Sequence, residues 1–402
     1  MRKCISAFIA SAMLFSLCIP TTAGADGTNN GYELIFTIDS GSVTITGVSG
    51  SGSTLEIPGT IAGLNVTSIA DNFFTGSNEL RTVILPDTLR SIGTRAFSAC
   101  QKLNSVYIGS DTSYIGDYAF TACPSLSSIS VSTANTVYRS ENSSLYKGDA
   151  LVLYAGSDDA VISSSTRVIG KRAFFGRTAL TSVDIPDSVE VIGDYAFSGC
   201  LALNDITIPD SVTSIGNYCF FSCSGLESAK LSNSLKAIPE SCFSGCSALR
   251  DINIPVSVSY IGANAFYSCE SLKSIYIPPT VETIGTNALG RTYSLRSGSE
   301  DNISDFRILG SPGSTAEKYA SALSMVFSED ETILTGDVNE DSIIDGRDAT
   351  VTLTEYARIS VGYSPTFSAR QTKAADFNKD SVIDARDASA ILVYYAETSV
   401  AK

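Results

Sequence analysis

The chain has 402 residues, a formal net charge of −15, no histidine and no tryptophan. The missing histidine removes Ser-His and Cys-His nucleophile pairs, histidine zinc ligands and the usual general base near neutral pH. The acidic balance disfavours nucleic acid and anionic membranes as partners, while carboxylate-pair glycosidase chemistry survives these exclusions.

Residues 1–25 read as a secretory signal peptide. Met1-Arg2-Lys3 is the charged start, Ile5 to Pro20 the short apolar stretch, and Ala23-Gly24-Ala25 the A-x-A cleavage site. No other segment holds the roughly 18 apolar residues that a membrane span requires. The expectation is a secreted, extracellular protein with no membrane insertion.

From residue 26 to 330 the chain is periodic. Ile69, Ile92, Ile115, Ile169, Ile192, Ile215, Ile238, Ile261 and Ile284 recur every 23 residues, except for the 54 between Ile115 and Ile169. One unit shows the logic: Leu203, Ile206 and Ile208 alternate as a short strand, Pro209 ends it, and Phe220, Cys223 and Leu226 refill the core. A unit this short cannot bury its apolar side alone, so neighbours must stack and share one core. Their strands then pair in parallel about 4.8 Å apart. The long interval, near 132–162, holds Leu145, Tyr146, Leu151, Val152 and Leu153 around Lys147-Gly148-Asp149, which predicts an inserted β-hairpin.

Cys100, Cys123, Cys200, Cys223, Cys246 and Cys269 share one rung position, and Cys219 and Cys242 stand where Ala196 does. That register favours buried packing thiols; disulfides between rungs and a metal site stay open as other readings. Each strand also turns side chains to solvent, among them Ile84, Tyr107, Asp184, Asp205, Lys230 and Tyr276. This face is either a recognition surface or an inert solvated one.

The Ile-Gly-x-x-Ala-Phe-x-x-Cys-x-x-Leu pattern resembles the BspA-type leucine-rich-repeat family of bacterial surface proteins, over about Gly31 to Asp330. Glu56-Ile57-Pro58 leading to Val66-Thr67-Ser68-Ile69 resembles its first repeat, and Gly313 to Ala320 its terminal cap, near 302–330. The resemblance implies a leucine-rich-repeat solenoid with short parallel β-strands and an irregular or 3-10 convex side. In the cap, Ser314 is expected to start a short helix, with Glu317 completing a capping box.

Residues 331–402 carry a doubled acidic pattern. Asp337, Asn339, Asp341, Asp345 and Asp348 fall at positions 1, 3, 5, 9 and 12 of a twelve-residue loop, and Asp376, Asn378, Asp380, Asp384 and Asp387 repeat this 39 residues later. That is the spacing by which such a loop wraps calcium, with the position-7 residues, Ile343 and Val382, offering backbone carbonyls. Two ions are expected. Matching residues follow each loop: Ala349 and Ala388, Leu353 and Leu392, Tyr356 and Tyr395, at the spacing of one helix face. Without metal the segment should be largely unfolded, since ion binding would supply most of its folding energy.

These residues resemble the type I dockerin family, most closely the ruminococcal type, a small α-helical module with two calcium F-hand loops. The resemblance implies a cohesin module of a scaffoldin as partner. It places the cohesin contacts at Gly346, Arg347, Ala385 and Arg386, together with Thr350, Thr354, Ser389 and Val393. Position 6, usually Gly, is Ser342 and Ser381 here; Ser at positive φ costs on the order of 1 kcal/mol.

The combined expectation is a non-catalytic cellulosome component. Its dockerin docks and its solenoid meets a bacterial surface protein or plant polysaccharide. The alternative is a dockerin-borne hydrolase acting on plant cell-wall polysaccharide. Asp184 and Asp205, one repeat apart, satisfy the distance a carboxylate pair needs, but their expected exposure on the flat sheet face argues against them, and no catalytic residue is assigned.

Overall fold

The structure is a computed structural model that describes residues 17–18, 31–156, 158–294, 298–329, 335–339, 343–363, 366–367, 369–380 and 382–400. Apart from Leu17–Cys18, the expected signal peptide lies outside the described residues. The chain divides into two units, 1–184 with 196–201, and 185–195 with 202–402.

In the first unit, strands Thr54–Glu56, Thr82–Ile84, Ser105–Ile108 and Ser128–Val131 pair in parallel, one rung per repeat. Leu55, Val83, Val106 and Ile129 point inward and are buried. A second parallel ladder, absent from the sequence expectation, joins Leu64–Ile69, Ser91–Ile92 and Tyr114–Ile115. The isoleucines that mark the period thus sit on strands of their own. On the outer turn Phe97 and Phe120 stack with centroids 5.5 Å apart. Each fully buried ring of this kind contributes roughly 2–3 kcal/mol.

The antiparallel hairpin Tyr32–Asp39 and Ser42–Gly50 precedes the first repeat. Its second strand pairs in parallel with Leu64–Ile69, so it covers the edge that the first rung would otherwise expose.

The insertion is more than a hairpin. Tyr138–Glu141, Ser144–Lys147 and Ala150–Tyr154 form a three-stranded meander. Its last strand pairs in parallel with Val168–Ile169, taking a rung position in the second ladder. The strand Asp159–Val161 then pairs with Ser182–Asp184 in regular 23-residue register. The long interval is therefore one stretched rung followed by one ordinary rung, which Ala160 hides by replacing the usual large apolar residue.

Arg177 occupies the rung position that Cys123 and Cys200 hold in neighbouring repeats. It is buried, and one guanidinium nitrogen donates to the carbonyls of Cys123 (3.1 Å) and Leu126 (2.9 Å). Burial holds its pKa below the usual arginine range.

The second unit repeats the plan. Asp205–Thr207, Ser228–Lys230 and Asp251–Ile252 form one ladder, and Ala237–Ile238, Tyr260–Ile261 and Thr283–Ile284 the other. Phe220, Phe243 and Phe266 stack at 5.1 and 5.4 Å. The eight cysteines of the repeats, across both units, are buried thiols outside any disulfide. In five of them Sγ–H donates to the carbonyl of the preceding repeat's phenylalanine, as Cys246 does to Phe220 at 3.1 Å. Burial pushes the Cys246 thiol well up.

Helix α1 (Thr315–Ala322) packs against Arg307–Gly310 and Val326–Glu329, which pair in parallel. Ser314 is the N-cap and accepts from the Glu317 N–H. The Glu317 carboxylate reaches Gly313 N–H (2.6 Å), one residue before the cap, a variant of the expected box.

Beyond residue 335 lie α2 (Gly346–Ser360), α3 (Ala369–Ala375) and α4 (Ala385–Val400). Val338, Ala349, Ala374, Ala375, Ala388 and Ile391 make their core, with α2 packed on α4. Ile344, Val351, Phe367, Phe377 and Ile383 pack against it, partly buried.

Candidate metal centre and docking surface

Each acidic loop closes on its last carboxylate. Asp348 is fully buried and accepts from Val338 N–H (2.8 Å) and Asn339 N–H (3.0 Å) on one oxygen, and from Asp345 N–H (2.9 Å) on the other. Asp387 is equally buried and accepts from Asn378 N–H (3.1 Å) and Asp384 N–H (3.0 Å). These bonds curl the loop so that its positions 1 to 3 return beside position 12.

Position 9 serves twice. Asp345 N-caps α2, and its carboxylate accepts from Arg347 N–H at 2.7 Å and from the guanidinium at 2.8 Å. Asp384 and Arg386 reproduce both contacts at 2.7 Å. The arginine side chain in each pair holds the aspartate below the usual carboxylate range. Arg386 also meets Asp380, at 3.1 Å. Within the second loop Asn378 Oδ1 accepts from Asp380 N–H (2.8 Å), and Asp380 from Val382 N–H (2.9 Å).

The side chains of Ile343 and Val382 point to solvent. Asp337 is buried at the loop entrance, and Asp376 is half-buried in the second loop. Asp341, Ser342 and Ser381 lie outside the described residues. The donor set is all oxygen and dense in carboxylate, which suits a hard divalent cation such as calcium and not a thiophilic metal.

On the expected docking face, Arg347 and Arg386 are exposed beside Gly346 and Ala385. Thr350, Thr354 and Ser389 turn their hydroxyls back onto carbonyls of their own helix, at 2.7–2.8 Å. Val393 is exposed. The helix-face expectation needs correction. Ala349 and Ala388 are buried, yet Leu353 and Leu392 are 42% and 44% exposed, and Tyr356 and Tyr395 are also at the surface. The inward row of α2 is instead Asp348, Ala349, Thr352 and Glu355. Small and hydrogen-bonded residues allow α2 and α4 to approach, which leaves the larger apolar residues outside.

Glu355 was not singled out by its sequence pattern. It is buried, accepts from the Thr366 and Phe367 amides and from Thr366 Oγ1 (2.6 Å), and so ties the segment between the two loops to α2. Its place three residues after Thr352, on the inward row, is the only sequence signal.

On the sheet faces Tyr107, Ser130 and Asp184 in the first unit, and Thr207, Lys230 and Asn253 in the second, are exposed as the strand alternation predicts. Asp205 is exposed as well. Among the described residues no helix is long and apolar enough to cross a membrane.

A family model for the BspA type leucine rich repeat region matches residues 53–149 and 167–296 in six copies, more than half of the chain. The gap between the two stretches, 150–166, spans the last strand of the meander and the strand Asp159–Val161. A model for the dockerin type I domain matches residues 335–394. No curated protein matches. Among solved structures, a leucine-rich repeat protein from Eubacterium ventriosum is similar at 20% identity and TM-score 0.50, over 77% of this chain and 97% of that one. A leucine rich cell surface protein from Faecalibacterium prausnitzii is similar at 21% identity and TM-score 0.38, over 77% and 98%. The pneumococcal vaccine antigen PcpA is similar at 17% identity and TM-score 0.44, over 79% and 99%.

Type I dockerin domains bind calcium and imply a cohesin as partner, which places the chain with extracellular, cellulosome-type components. Neither matched domain type is catalytic. The chain belongs to the BspA-type leucine-rich-repeat family and carries a type I dockerin domain over residues 335–394.

Proposed function

We propose that this protein is a secreted, non-catalytic part of a polysaccharide-degrading complex, attached through its dockerin to a cohesin on a scaffoldin. Two calcium ions are held, one by Asp337, Asn339, Asp341, the Ile343 carbonyl, Asp345 and Asp348. The other is held by Asp376, Asn378, Asp380, the Val382 carbonyl, Asp384 and Asp387. Calcium supplies the positive charge that lets so many carboxylates share one loop. The chain's own part is preorganisation: Asp348 and Asp387 gather the loop amides, and Asp345 and Asp384 start the two helices.

The cohesin is met by Gly346, Arg347, Thr350 and Thr354 in one half, and by Ala385, Arg386, Ser389 and Val393 in the other. Leu353 and Leu392, exposed at equivalent places, widen this face. The solenoid presents its sheet face to a bacterial surface protein or a plant polysaccharide. Domain limits follow the sequence: leader to 25, solenoid to 330, dockerin beyond.

The observation that carries the reading is the repetition of the buried carboxylate clamp at Asp348 and Asp387. Calorimetric titration of calcium into the full chain tests it: two ions per molecule are expected, and no uptake would end it. The hydrolase alternative gains nothing from Asp184 and Asp205, since both are exposed and a general acid needs burial. Release of reducing sugar from cell-wall polysaccharide by the purified chain would restore it.

A further inference from the structure

The hairpin that opens the solenoid covers the first rung but ends in an edge of its own. Strand Tyr32–Asp39 is joined to Ser42–Gly50 by the two-residue turn Ser40-Gly41, left-handed at both positions with φ of 49° and 79°. Such a turn closes on a hydrogen-bonded pair, here Asp39 and Ser42, and the pattern alternates from there along the strand. The backbone groups of Thr37 and Ile35 therefore face the hairpin partner, and the Ile35 carbonyl accepts from Thr46 Oγ1 at 3.3 Å. Those of Ile38, Phe36 and Leu34 face the other way.

One strand sits on that outward edge. Leu17–Cys18 pairs with it antiparallel, Leu17 opposite Phe36 and Cys18 opposite Ile35. Both residues belong to the leader that the proposed function removes. Among the described residues no other strand pairs there. Strand Tyr32–Asp39 also lacks the usual protections of an edge, since it holds no lysine, arginine or proline. Cleavage would leave it as a template for another strand.

A second copy of the same strand fits this edge. Antiparallel pairing about a two-fold axis at Ile35 sets Leu34 opposite Phe36 of the partner subunit, so that outward groups meet outward groups. The two half-buried Ile35 side chains then face each other across a closely spaced pair. Exposed Glu33 comes opposite Thr37 and meets no like charge. Moving the axis to Phe36 would set Glu33 against Asp39, and opposed carboxylates disfavour that register.

We propose that, once residues 1–25 are removed, two copies of the chain join through strand Tyr32–Asp39, each continuing the other's ladder. The inference rests on the leader reading given under the proposed function. A single strand edge is a small interface, so the dimer dissociates on dilution.

The chain beginning at Asp26, in calcium, is followed by sedimentation velocity and amide hydrogen exchange over a wide range of concentration. The expected result is a reversible monomer–dimer equilibrium, with exchange at Leu34 and Phe36 slowing as concentration rises and exchange at Thr37 unchanged. Ile35→Lys, which sets like charges on the axis, should weaken the dimer about tenfold. Ile35→Cys should form a disulfide between copies when treated with oxidised glutathione, whereas Glu33→Cys, opposite Thr37, should not. A chain that begins at Asp26 and stays monomeric overturns this inference alone. So do a dimer with unchanged exchange at Leu34 and Phe36, undiminished association of the folded Ile35→Lys variant, or no disulfide in Ile35→Cys. If a variant does not fold, exchange in the unsubstituted chain decides. The intact mass of the secreted protein tests the leader separately: retention of residues 1–25 would overturn both readings, because Leu17–Cys18 would keep the edge.

Discussion

Arg177 donates to the carbonyl of Cys123 at 3.1 Å, across the break that the insertion makes in the stack. In ordinary rungs the same position is a cysteine whose thiol reaches the preceding repeat's phenylalanine carbonyl, as Cys200 reaches Phe174 at 3.2 Å. The longer side chain serves the wider gap. Replacing it strands the Leu126 carbonyl and takes one of two donors from that of Cys123, which keeps Leu126 N–H at 3.1 Å, so Arg177→Leu should lower stability by about 1–3 kcal/mol. Arg177→Lys, whose ammonium is a compact and more strongly hydrated charge that costs more to bury than a guanidinium, should recover less than half. Urea unfolding followed by circular dichroism measures both.

The rung cysteines are expected to be chemically silent in the folded protein. Burial raises the Cys246, Cys242 and Cys269 thiols above their ordinary range, which leaves almost no thiolate to react. An alkylating reagent should label these three only after denaturation; rapid labelling of the native chain would contradict the buried thiol ladder. Cys246→Ala, which removes the Sγ–H bond to Phe220 and leaves a small void, should cost about 1–2 kcal/mol.

Asp348 and Asp387 are each expected to govern one ion. Asp348→Ala removes the acceptor of three loop amides and one half of the α2 capping box, and Asp387→Ala the acceptor of the corresponding amides before α4. Either substitution should reduce calorimetric calcium uptake from two ions to one, or weaken one site by about tenfold or more. The double variant should bind none and lose the helical signal of residues 335–394.

Acid should release the module. Asp345 and Asp384 have pKa values held below the ordinary range by Arg347 and Arg386. A depressed carboxylate pKa gives stabilisation that is complete above the unfolded value and is lost as pH falls through the folded value. Cation affinity falls in the same direction, because the ligands must be deprotonated. Helicity of the dockerin should therefore fall with acidification and stay level from neutral to mildly alkaline pH. Loss on raising the pH would contradict these assignments.

Much of this was legible from residue spacing. The isoleucine, phenylalanine and cysteine positions carry the rung period, and the Asp-Asn-Asp pattern carries both loops, because each side chain there answers to a fixed local geometry. The stretched rung was not legible: Ala160 holds an inward rung position without the bulk that marks the others. Leu353 and Tyr356 share one helix face by their spacing, yet spacing alone cannot say which of two faces a helix buries. Glu355 escaped notice because an acidic residue in a helix is ordinarily solvated; only the amides of Thr366 and Phe367 reveal its use.

Capture of the full-length chain by immobilised cohesins, in calcium and then in excess EDTA, tests the central claim most directly. The account predicts retention in calcium, release by the chelator and recovery when calcium is returned, with weaker retention of Arg347→Ala/Arg386→Ala. Retention that persists undiminished in EDTA would contradict it.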